Sequence, residues 1–356
     1  MHTRLNDSQA IRANDPGDMF GAIYNLPDQC EEAFNIAANV NLAPNLATGL
    51  TNIVVAGMGG SAIGGDLLRV LIGPRAAIPV LVTRDYTLPN FVGPNTLVFA
   101  TSFSGNTEET LSCYKQARAQ EARIIVITSG GKLKEIADRD GIPVISVPGG
   151  ISPRAATGYL FLPTVVILQR LGLIPDATSE IREAITQLRT IRETLNPQVP
   201  LETNLAKKIA LRLADKIPVI YGSVGTTEVV AARWKGQINE NAKSPAYWNV
   251  FPEMNHNEIV GFEQPAALLK NLELIILRDR EDHPRVQKRM DISKTIMGPA
   301  VSGITEVWST GESALARTLS LTYTGDFVSA YLATLYNVDP TPVKMIDLLK
   351  EKLAEK

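Results

Sequence analysis

Five short runs of apolar, largely β-branched residues recur along the first half of the sequence, and helical stretches separate them. The runs are Ile53–Ala56, Val80–Val82, Leu97–Ala100, Ile124–Ile127 and Val144–Val147. A continuous apolar run is typical of a strand in a parallel sheet that is covered on both faces. The alternation of such strands with helices therefore predicts a doubly wound α/β domain.

The alternation continues after a break at Asn196–Pro200, where two prolines interrupt a helical pattern. Three further strand candidates follow, at Pro218–Tyr221, Leu272–Leu277 and Thr305–Trp308. With 356 residues, of which 45% are hydrophobic, the chain is long enough to bury two cores. We predict two α/β domains with parallel sheets flanked by helices, at residues 1–195 and 201–356.

The last segment, from Thr341 to Lys356, has the pattern of an amphipathic helix. Thr341 is a suitable N-cap, Pro342 suits the first helical position, and the apolar residues recur at helical spacing. These apolar residues are Val343, Ile346, Leu349 and Leu353. We expect this helix to pack on the body of the protein.

The composition disfavours several kinds of partner. A net charge of -2 with scattered cations gives no general attraction for nucleic acid, so we expect no nucleic-acid partner. No stretch is apolar enough for a signal peptide or a membrane span, so we expect no membrane association. Cys30 and Cys113 alone cannot build a disulfide framework, and this fits a reducing cytoplasm.

Two loops rich in glycine and hydroxyl groups, Gly57–Gly65 and Ser102–Thr107, directly follow predicted strands. The carboxyl ends of parallel strands line the crevice where ligands bind in open α/β sheets. Glycine allows close backbone approach, and the N–H groups at the start of the following helix favour an anion. Neither loop contains lysine or matches the P-loop spacing, so the pattern disfavours a nucleoside triphosphate.

Both loops also have other interpretations. A turn followed by an Asn or Ser helix cap would by itself explain the composition of Ser102–Thr107. The first loop satisfies Gly-x-Gly-x-x-Ala at Gly57, Gly59 and Ala62, and Asp85 stands where a ribose-binding acid is found in dinucleotide-binding proteins. The loops alone leave these alternatives open.

Taken together, the motifs of this chain resemble those of the bifunctional phosphoglucose/phosphomannose isomerases, which are built from two sugar isomerase (SIS) domains. The resemblance spans about residues 52 to 350 and keeps the order of the family's motifs. It rests on Gly57–Ser61, Ser102–Glu109, Asn239–Lys243, Pro252–Glu258 and Pro342–Lys344. It implies an enzyme that interconverts glucose 6-phosphate and mannose 6-phosphate with fructose 6-phosphate through an enediol.

The resemblance also implies roles for individual residues. The phosphate-binding residues would be Ser61, Ser102, Ser104 and Thr107, together with the backbone of Gly59 and Gly60. Arg154 matches the arginine that stabilises the enediolate, and Glu240 matches the base. His256 and Lys344 match ring-opening groups, and His256 would come from the neighbouring subunit of a homodimer. No metal or other cofactor is expected, because the sequence has no cluster with metal-ligand spacing.

Two of these residues can also be judged from their positions alone. Glu240 lies on a predicted helix, about Thr227–Lys243, whose buried stripe is Val230, Trp234 and Ile238. It projects to another side with Arg233 and Gln237, a position that also suits a solvated glutamate. Lys344 lies in the first turn of the last predicted helix, where the helix dipole disfavours a cation, although a surface lysine would be tolerated there.

Three hypotheses about function follow. The isomerase hypothesis gives a role to both loops and to Glu240, His256 and Lys344. A non-catalytic sugar-phosphate sensor of the same fold would bind ligand without turnover. A nicotinamide-dependent oxidoreductase would use the Gly57 loop and leave Ser102–Thr107 and Glu240 without a role.

Overall fold

The computed structural model describes residues 2–355, apart from the side chains of residues 2, 3 and 354. These residues form two compact units. The first unit comprises Asn25–Arg189 and Thr310–Ser320, and the second comprises 2–24, Thr190–Ser309 and 321–355. Both units are discontinuous in sequence, whereas the division predicted from the sequence, 1–195 and 201–356, is continuous and stays a prediction.

Each unit contains one sheet in which every strand pairing is parallel. The strand order is β2-β1-β3-β4-β5 in the first unit and β7-β6-β8-β9 in the second. The strands are β1 (Asn52–Ala56), β2 (Val80–Thr83), β3 (Thr96–Thr101), β4 (Arg123–Thr128), β5 (Val144–Ser146), β6 (Ile217–Ser223), β7 (Tyr247–Phe251), β8 (Leu272–Arg278) and β9 (Gly303–Trp308).

Helices connect and flank these strands. The α-helices of the described residues are α1 (His2–Asn6), α2 (Ser8–Ala13), α3 (Met19–Tyr24), α4 (Leu26–Ala38), α5 (Gly59–Ile72), α6 (Glu108–Ala119), α7 (Gly131–Arg139), α8 (Thr157–Arg170), α9 (Thr178–Leu195), α10 (Leu205–Leu213), α11 (Glu228–Ala242), α12 (Ala266–Leu269), α13 (Pro284–Met297), α14 (Ala314–Tyr336) and α15 (Lys344–Ala354). Short 3-10 helices lie at Pro153–Ala155, Glu253–His256 and Glu258–Phe262.

The sheet of the first unit is covered on both faces. Tyr114 of α6 and Leu133 of α7 belong to one buried cluster with Val98 of β3. On the opposite face, Gly65 of α5 lies against Val55 of β1. Its neighbours Val54 and Ala56 belong to the first cluster, because successive side chains of a strand point to opposite faces. This arrangement confirms the predicted doubly wound fold and explains why its strands are continuously apolar.

In the second unit, α13 covers one side of the sheet, where Met290 and Met297 share a buried cluster with Tyr221 of β6. Helix α11 packs against β6 and β7, and its Trp234 donates a hydrogen bond to the carbonyl of Leu321 in α14 at 2.8 Å. The sheet therefore supports α11 directly. The candidate base Glu240 lies at the end of that helix.

All eight strands predicted from apolar runs are present, and β7 is the strand that the sequence pattern did not reveal. Strand β7 lies at the edge of its sheet, and Tyr247 and Trp248 are exposed. An edge strand buries less surface, so it does not need the continuous apolar pattern of a central parallel strand.

The last helix differs from the expectation in two respects. It begins at Lys344, not at Pro342, and Thr341 is not its N-cap. Its apolar residues are exposed, with 81% of Met345 and 66% of Leu353 accessible to solvent. The expectation that this helix packs on the body was wrong, because amphipathic spacing predicts an apolar face and not what covers that face.

Within residues 2–355, the helices are all too short or too polar to cross a lipid bilayer.

Candidate active site

In the first unit, two helix N-termini lie beside each other at the carboxyl ends of β1 and β3. These two strands are neighbours, and the chain order reverses at this point of the sheet. Helix α5 begins at Gly59, and helix α6 begins at Glu108. The N-cap residues, Met58 and Thr107, make no side-chain capping hydrogen bond. The first N–H groups of both helices therefore favour an anion in the crevice.

The loop Ser102–Thr107 brings two hydroxyl groups together. The Ser102 Oγ lies 2.9 Å from the Thr107 Oγ1 and accepts a hydrogen bond from the backbone N–H of Gly105 at 3.1 Å. Ser104 is exposed, and its hydroxyl accepts from the N–H of Asn106 at 3.3 Å. The interpretation as a turn is therefore partly correct. The N-cap of α6 is Thr107, not an asparagine or serine, and it makes no capping hydrogen bond. Asn106 accepts instead from the N–H of Lys132 in the first turn of α7 at 3.2 Å.

A third loop, which the sequence analysis did not single out, supports this cradle. Gly105 has a φ of +68°, and a Cβ at this position would lie 1.8 Å from the carbonyl oxygen of Gly130. Ser129 donates from its backbone N–H to the carbonyl of Phe103 at 2.9 Å. The Ser-Gly-Gly sequence after β4 was the available signal, since it follows a predicted strand as the other two loops do.

Arg154 approaches the first loop closely because that loop contains glycine. A Cβ at Gly60 would lie 2.8 Å from the carbonyl oxygen of Pro153 and 3.5 Å from the Cα of Arg154. Gly59, the first residue of α5, has a φ of +51°. Ser61 and Arg154 are both buried, with 5% of each accessible to solvent. The structure thus brings Arg154 to the loop that carries Gly59, Gly60 and Ser61.

In the second unit, Glu240 and Lys344 line the same pocket, which has a volume of about 670 Å³. Glu240 lies in the last turn of α11 and is partly exposed, whereas Lys344 is the first residue of α15 and is exposed. These two residues are about a hundred positions apart in sequence. The pocket is lined by Asn239, Glu240, Lys243, Ser244, Pro245, Val338, Asp339, Pro342, Val343, Lys344, Met345 and Ile346.

Lys243 joins the two sides of this pocket. Its backbone is left-handed, with a φ of +55°, and this conformation ends α11. Its Nζ donates to the carbonyl of Glu240 and, at 2.9 Å, to the carbonyl of Pro340. Asn241, which is fully buried, donates to the hydroxyl of Ser329 at 2.9 Å. Lys243 and Asn241, the neighbours of Glu240 in the motif, thus make contacts that stabilise the fold. Glu240 itself lines the pocket.

A buried polar cluster supports α11 one and two turns before Glu240. Arg233 donates to Asp326 of α14 from Nε at 3.1 Å and from Nη2 at 2.8 Å, and Gln237 donates to the same carboxylate at 2.8 Å. We expected Arg233 and Gln237 on a side apart from the buried stripe, but both are buried as well. Asp326 was missed because an acid inside an apolar, hydroxyl-rich helix has no visible partner in sequence.

His256 is exposed at the end of the 3-10 helix Glu253–His256 and does not line the pocket of Glu240 and Lys344. Hydrogen bonds fix its segment on both sides. Asn255 donates to the hydroxyl of Ser293 at 2.8 Å, and Tyr221 of β6 donates to Glu258 at 2.6 Å. Burial raises the pKa of the Tyr221 hydroxyl far above its usual value, so this group remains a donor.

Asp339 is a second carboxylate in the pocket that the sequence analysis missed. It is partly exposed, and its Oδ1 accepts a hydrogen bond from the N–H of Thr341 at 2.9 Å. Asp339 therefore shapes the turn that leads to Lys344. Asp339 and Glu240 are the two carboxylates that line this pocket, so Asp339 is the alternative candidate for the base.

Among residues 2–355, no group of three or more histidine, cysteine, aspartate or glutamate side chains is arranged to hold a metal ion.

Comparison with known proteins adds two family assignments. Residues 202–353 match the family model of the bacterial phospho-glucose isomerase C-terminal SIS domain. Residues 50–140 match the SIS domain model. Each match contains one of the two parallel sheets, apart from β5 in the first unit.

Curated proteins match over nearly the whole chain. A bifunctional phosphoglucose/phosphomannose isomerase of Caldicellulosiruptor bescii is 54% identical over 95% of this chain and 99% of its own length. The enzyme of the same name from Aquifex aeolicus is 42% identical over 85% of this chain and 90% of its own. A Thermus thermophilus protein of known structure, described as hypothetical, superimposes with a TM-score of 0.73 at 17% identity, over 98% of this chain and 94% of its own. That structural similarity supports the fold.

Proposed function

The chain belongs to the bifunctional phosphoglucose/phosphomannose isomerase family and is an enzyme, and we propose that it interconverts glucose 6-phosphate and mannose 6-phosphate with fructose 6-phosphate. It has two SIS domains. The cited relatives, which match most of the chain, are named as isomerases, and this favours the hypothesis over the sensor and over the nicotinamide-dependent oxidoreductase.

In the proposed reaction, Glu240 removes the proton from C2 of the open-chain aldose and returns it to C1. The electron pair of the C2–H bond forms the C1–C2 double bond of a cis-enediol(ate), while the C1 carbonyl oxygen gains a proton. The C2 hydroxyl then loses its proton as the C2 carbonyl forms and C1 is protonated. Nothing is oxidised or reduced overall. Because C2 is planar in this intermediate, return of a proton to either face of C2 gives glucose 6-phosphate or mannose 6-phosphate. One base serves both reactions when the enediolate turns about its C2–C3 bond and presents either face of C2 to that base.

The first unit supplies the anion-binding part of the proposal. Ser61, Ser102, Ser104 and Thr107 would donate to the phosphate, together with the N–H groups of Gly59 and Gly60. The support is the pair of uncapped helix N-termini and the 2.9 Å approach of the Ser102 and Thr107 hydroxyls. Arg154 would stabilise the negative charge of the enediolate, and its burial strengthens this electrostatic effect.

Ring opening is assigned to His256 and Lys344. Lys344 shares the pocket of Glu240, whereas His256 does not line that pocket and is exposed. These positions support a homodimer in which His256 of one subunit completes the site of its neighbour. Light scattering, which measures the mass of the particle in solution, would test this assembly by distinguishing one copy of the chain from two.

We further propose that the enzyme works in a reducing cytoplasm. Cys30 and Cys113 are both buried free thiols. Burial raises the pKa of Cys30 to about 12 and that of Cys113 to about 11, so both stay protonated and unreactive at neutral pH.

The observation that carries the proposal is the shared pocket of Glu240 and Lys344, because a carboxylate and an ammonium group line the same cavity. The test is to incubate the protein with fructose 6-phosphate in the presence of EDTA and to measure both aldose phosphates separately. Formation of both is expected, since metal independence is part of the proposal. Folded protein that forms neither, with or without added divalent metal, would contradict it; activity that requires metal would contradict metal independence alone.

A further inference from the structure

A second pocket in the second unit is lined mainly by basic and apolar side chains, and none of its lining residues is assigned to catalysis. Its volume is about 310 Å³, which is at the lower end of the range for small-molecule sites. It is lined by Asn255, Ile259, Arg285, Lys288, Arg289, Ile292, Ser293 and Ile296. Three of these residues are cations and none is an acid.

The three cations lie in the first two turns of α13, which begins at Pro284. The first turn of this helix contains no acidic residue, and no described residue forms an ion pair with Arg285, Lys288 or Arg289. Cations are disfavoured at a helix N-terminus, and like charges three or four residues apart repel each other. The cluster therefore stabilises the helix less than neutral residues would, and an anion would relieve both effects.

The acids of neighbouring segments have other partners. Asp291 on the same helix pairs with Arg278 at 2.8 Å. Glu258 accepts the hydrogen bond of Tyr221, and Glu253 accepts one from Asn257 at 2.8 Å. The positive charge facing the pocket is thus left without a neutralising carboxylate among these residues.

The pocket also contains an unsatisfied amide. Asn255 donates from Nδ2 to the buried Ser293, but its Oδ1 is buried and has no hydrogen-bond partner. Turning the amide over would leave Nδ2 unpaired in place of Oδ1, so either orientation leaves one polar atom without a partner. A buried polar atom in this state costs free energy. Asn255 lines the pocket, so a rotation of its amide that exposes this oxygen to a ligand hydroxyl would recover that cost.

We propose that this pocket binds a small phosphate monoester that carries a hydroxyl group, at a site separate from the phosphate cradle of the first unit. The phosphate lies among Arg285, Lys288 and Arg289, and the hydroxyl bonds to Asn255. Ile292 and Ile296, both about half exposed, contact the carbon chain. Since Asn255 precedes His256, a ligand bound here also restrains the segment that carries the histidine.

The test is equilibrium dialysis of the whole protein against radiolabelled glycerol 3-phosphate, which counts the molecules bound per chain. The Lys288→Ala/Arg289→Ala variant is expected to bind one equivalent fewer than the wild type. Alanine suits a helix, so this variant should remain folded, and circular dichroism checks this. A Lys208→Ala/Lys350→Ala variant removes two exposed cations elsewhere and should bind as the wild type does.

A Ser102→Ala/Thr107→Val variant separates this site from the proposed cradle, because it should retain the equivalent that the α13 variant loses. The wild type should also prefer glycerol 3-phosphate over propyl phosphate at this site, and Asn255→Leu should abolish that preference. Equal stoichiometry in the wild type and the α13 variant would overturn the proposal. The proposal would also be overturned if the Ser102→Ala/Thr107→Val variant bound no glycerol 3-phosphate. That result is expected if another copy of the chain covers the pocket.

Discussion

The guanidinium of Arg233 and the carboxylate of Asp326 form a two-point ion pair in which 3% of the arginine and 4% of the aspartate are accessible to solvent. Burial raises the pKa of the Asp326 carboxyl, and the paired guanidinium opposes that rise. Removing one partner would leave the other charge buried without its counter-ion. We therefore expect Asp326→Ala to lower the free energy of unfolding by about 3–5 kcal/mol.

The measurement for this pair is urea unfolding followed by tryptophan fluorescence, since all three tryptophans lie in the second unit. Because an apolar pair of similar size often replaces a buried ion pair without loss, Arg233→Met/Asp326→Leu should recover most of the stability. If the double variant is as unstable as Asp326→Ala, the loss comes from packing or from Gln237 and not from an isolated charge.

The close approach of Gly60 to the segment of Arg154 leads to a second prediction. In Gly60→Ala, the new methyl group would lie 2.8 Å from the carbonyl oxygen of Pro153, so that segment must move. We expect kcat/KM to fall by up to about 100-fold, because Arg154 would no longer meet the enediolate in the correct geometry. Steady-state kinetics with fructose 6-phosphate measure this effect.

Gly236→Ala is the matched control for this change. Gly236 lies within α11, and a Cβ there would meet no atom within 4 Å. The free energy of unfolding should rise by about 0.4–1 kcal/mol with unchanged kinetics, since alanine restricts the unfolded chain. Wild-type activity in Gly60→Ala would show that Arg154 does not depend on the glycine.

The fold was largely predictable because a parallel sheet covered on both faces requires strands that are apolar throughout. Ile124–Ile127 shows this signal in its plainest form, and β4 is found there. Edge strand β7, with Asn249 and exposed Trp248, carries no such signal. Helix α15 is the converse case. The spacing of its apolar residues predicts a helix, but it does not predict whether another part of the protein covers the apolar face.

Much of the candidate site depends on contacts that are distant in sequence. The glycine-rich loops could be found because glycine and hydroxyl groups after a strand are local signals. The partnership of Arg233 with Asp326, 93 positions apart, could not, because α11 and α14 meet only in the folded chain. Asp339 was missed for the same reason, since its position beside Glu240 depends on the contact of Lys243 with Pro340.

The two carboxylates of the Glu240 pocket give a third prediction. Glu240→Gln should lower kcat for both aldose products by about 100-fold or more, because an amide cannot take the proton from C2. Asp339→Asn is the control, since an asparagine oxygen can still accept the N–H of Thr341 and hold the turn. We expect it to retain most of the activity. The reverse result would assign the base to Asp339.

A fourth prediction concerns the support of the His256 segment by Tyr221. Tyr221→Phe removes the hydroxyl that donates to Glu258, so we expect a lower kcat even where the protein stays folded. Tyr114→Phe makes the same chemical change in the first unit, where the hydroxyl donates to Asp140 at 3.0 Å. Both variants should lose stability, and kcat should fall in Tyr221→Phe alone. An equal effect on kcat in both variants would count against a positioning role.

The stability of the protein should also depend on pH through Lys207, a buried lysine of α10. Its Nζ donates to the carbonyls of Pro197 and Val199 at 2.8 and 2.7 Å and lies over the ring of Tyr331. Burial lowers its pKa from 10.5 to about 8. A neutral amine still has two N–H groups for the two carbonyls.

Between about pH 8 and 10.5, the unfolded chain therefore binds a proton at Lys207 that the folded chain has released. Stability rises with pH wherever the unfolded state binds more protons, so the contribution of Lys207 grows through this window and is constant below it. The unfolding free energy of the wild type minus that of Lys207→Met should accordingly increase from pH 8 to 10. For exposed Lys208→Met, the same difference should stay flat. A difference for Lys207→Met that is flat or falls with pH would mean that the lysine keeps its charge in the folded chain.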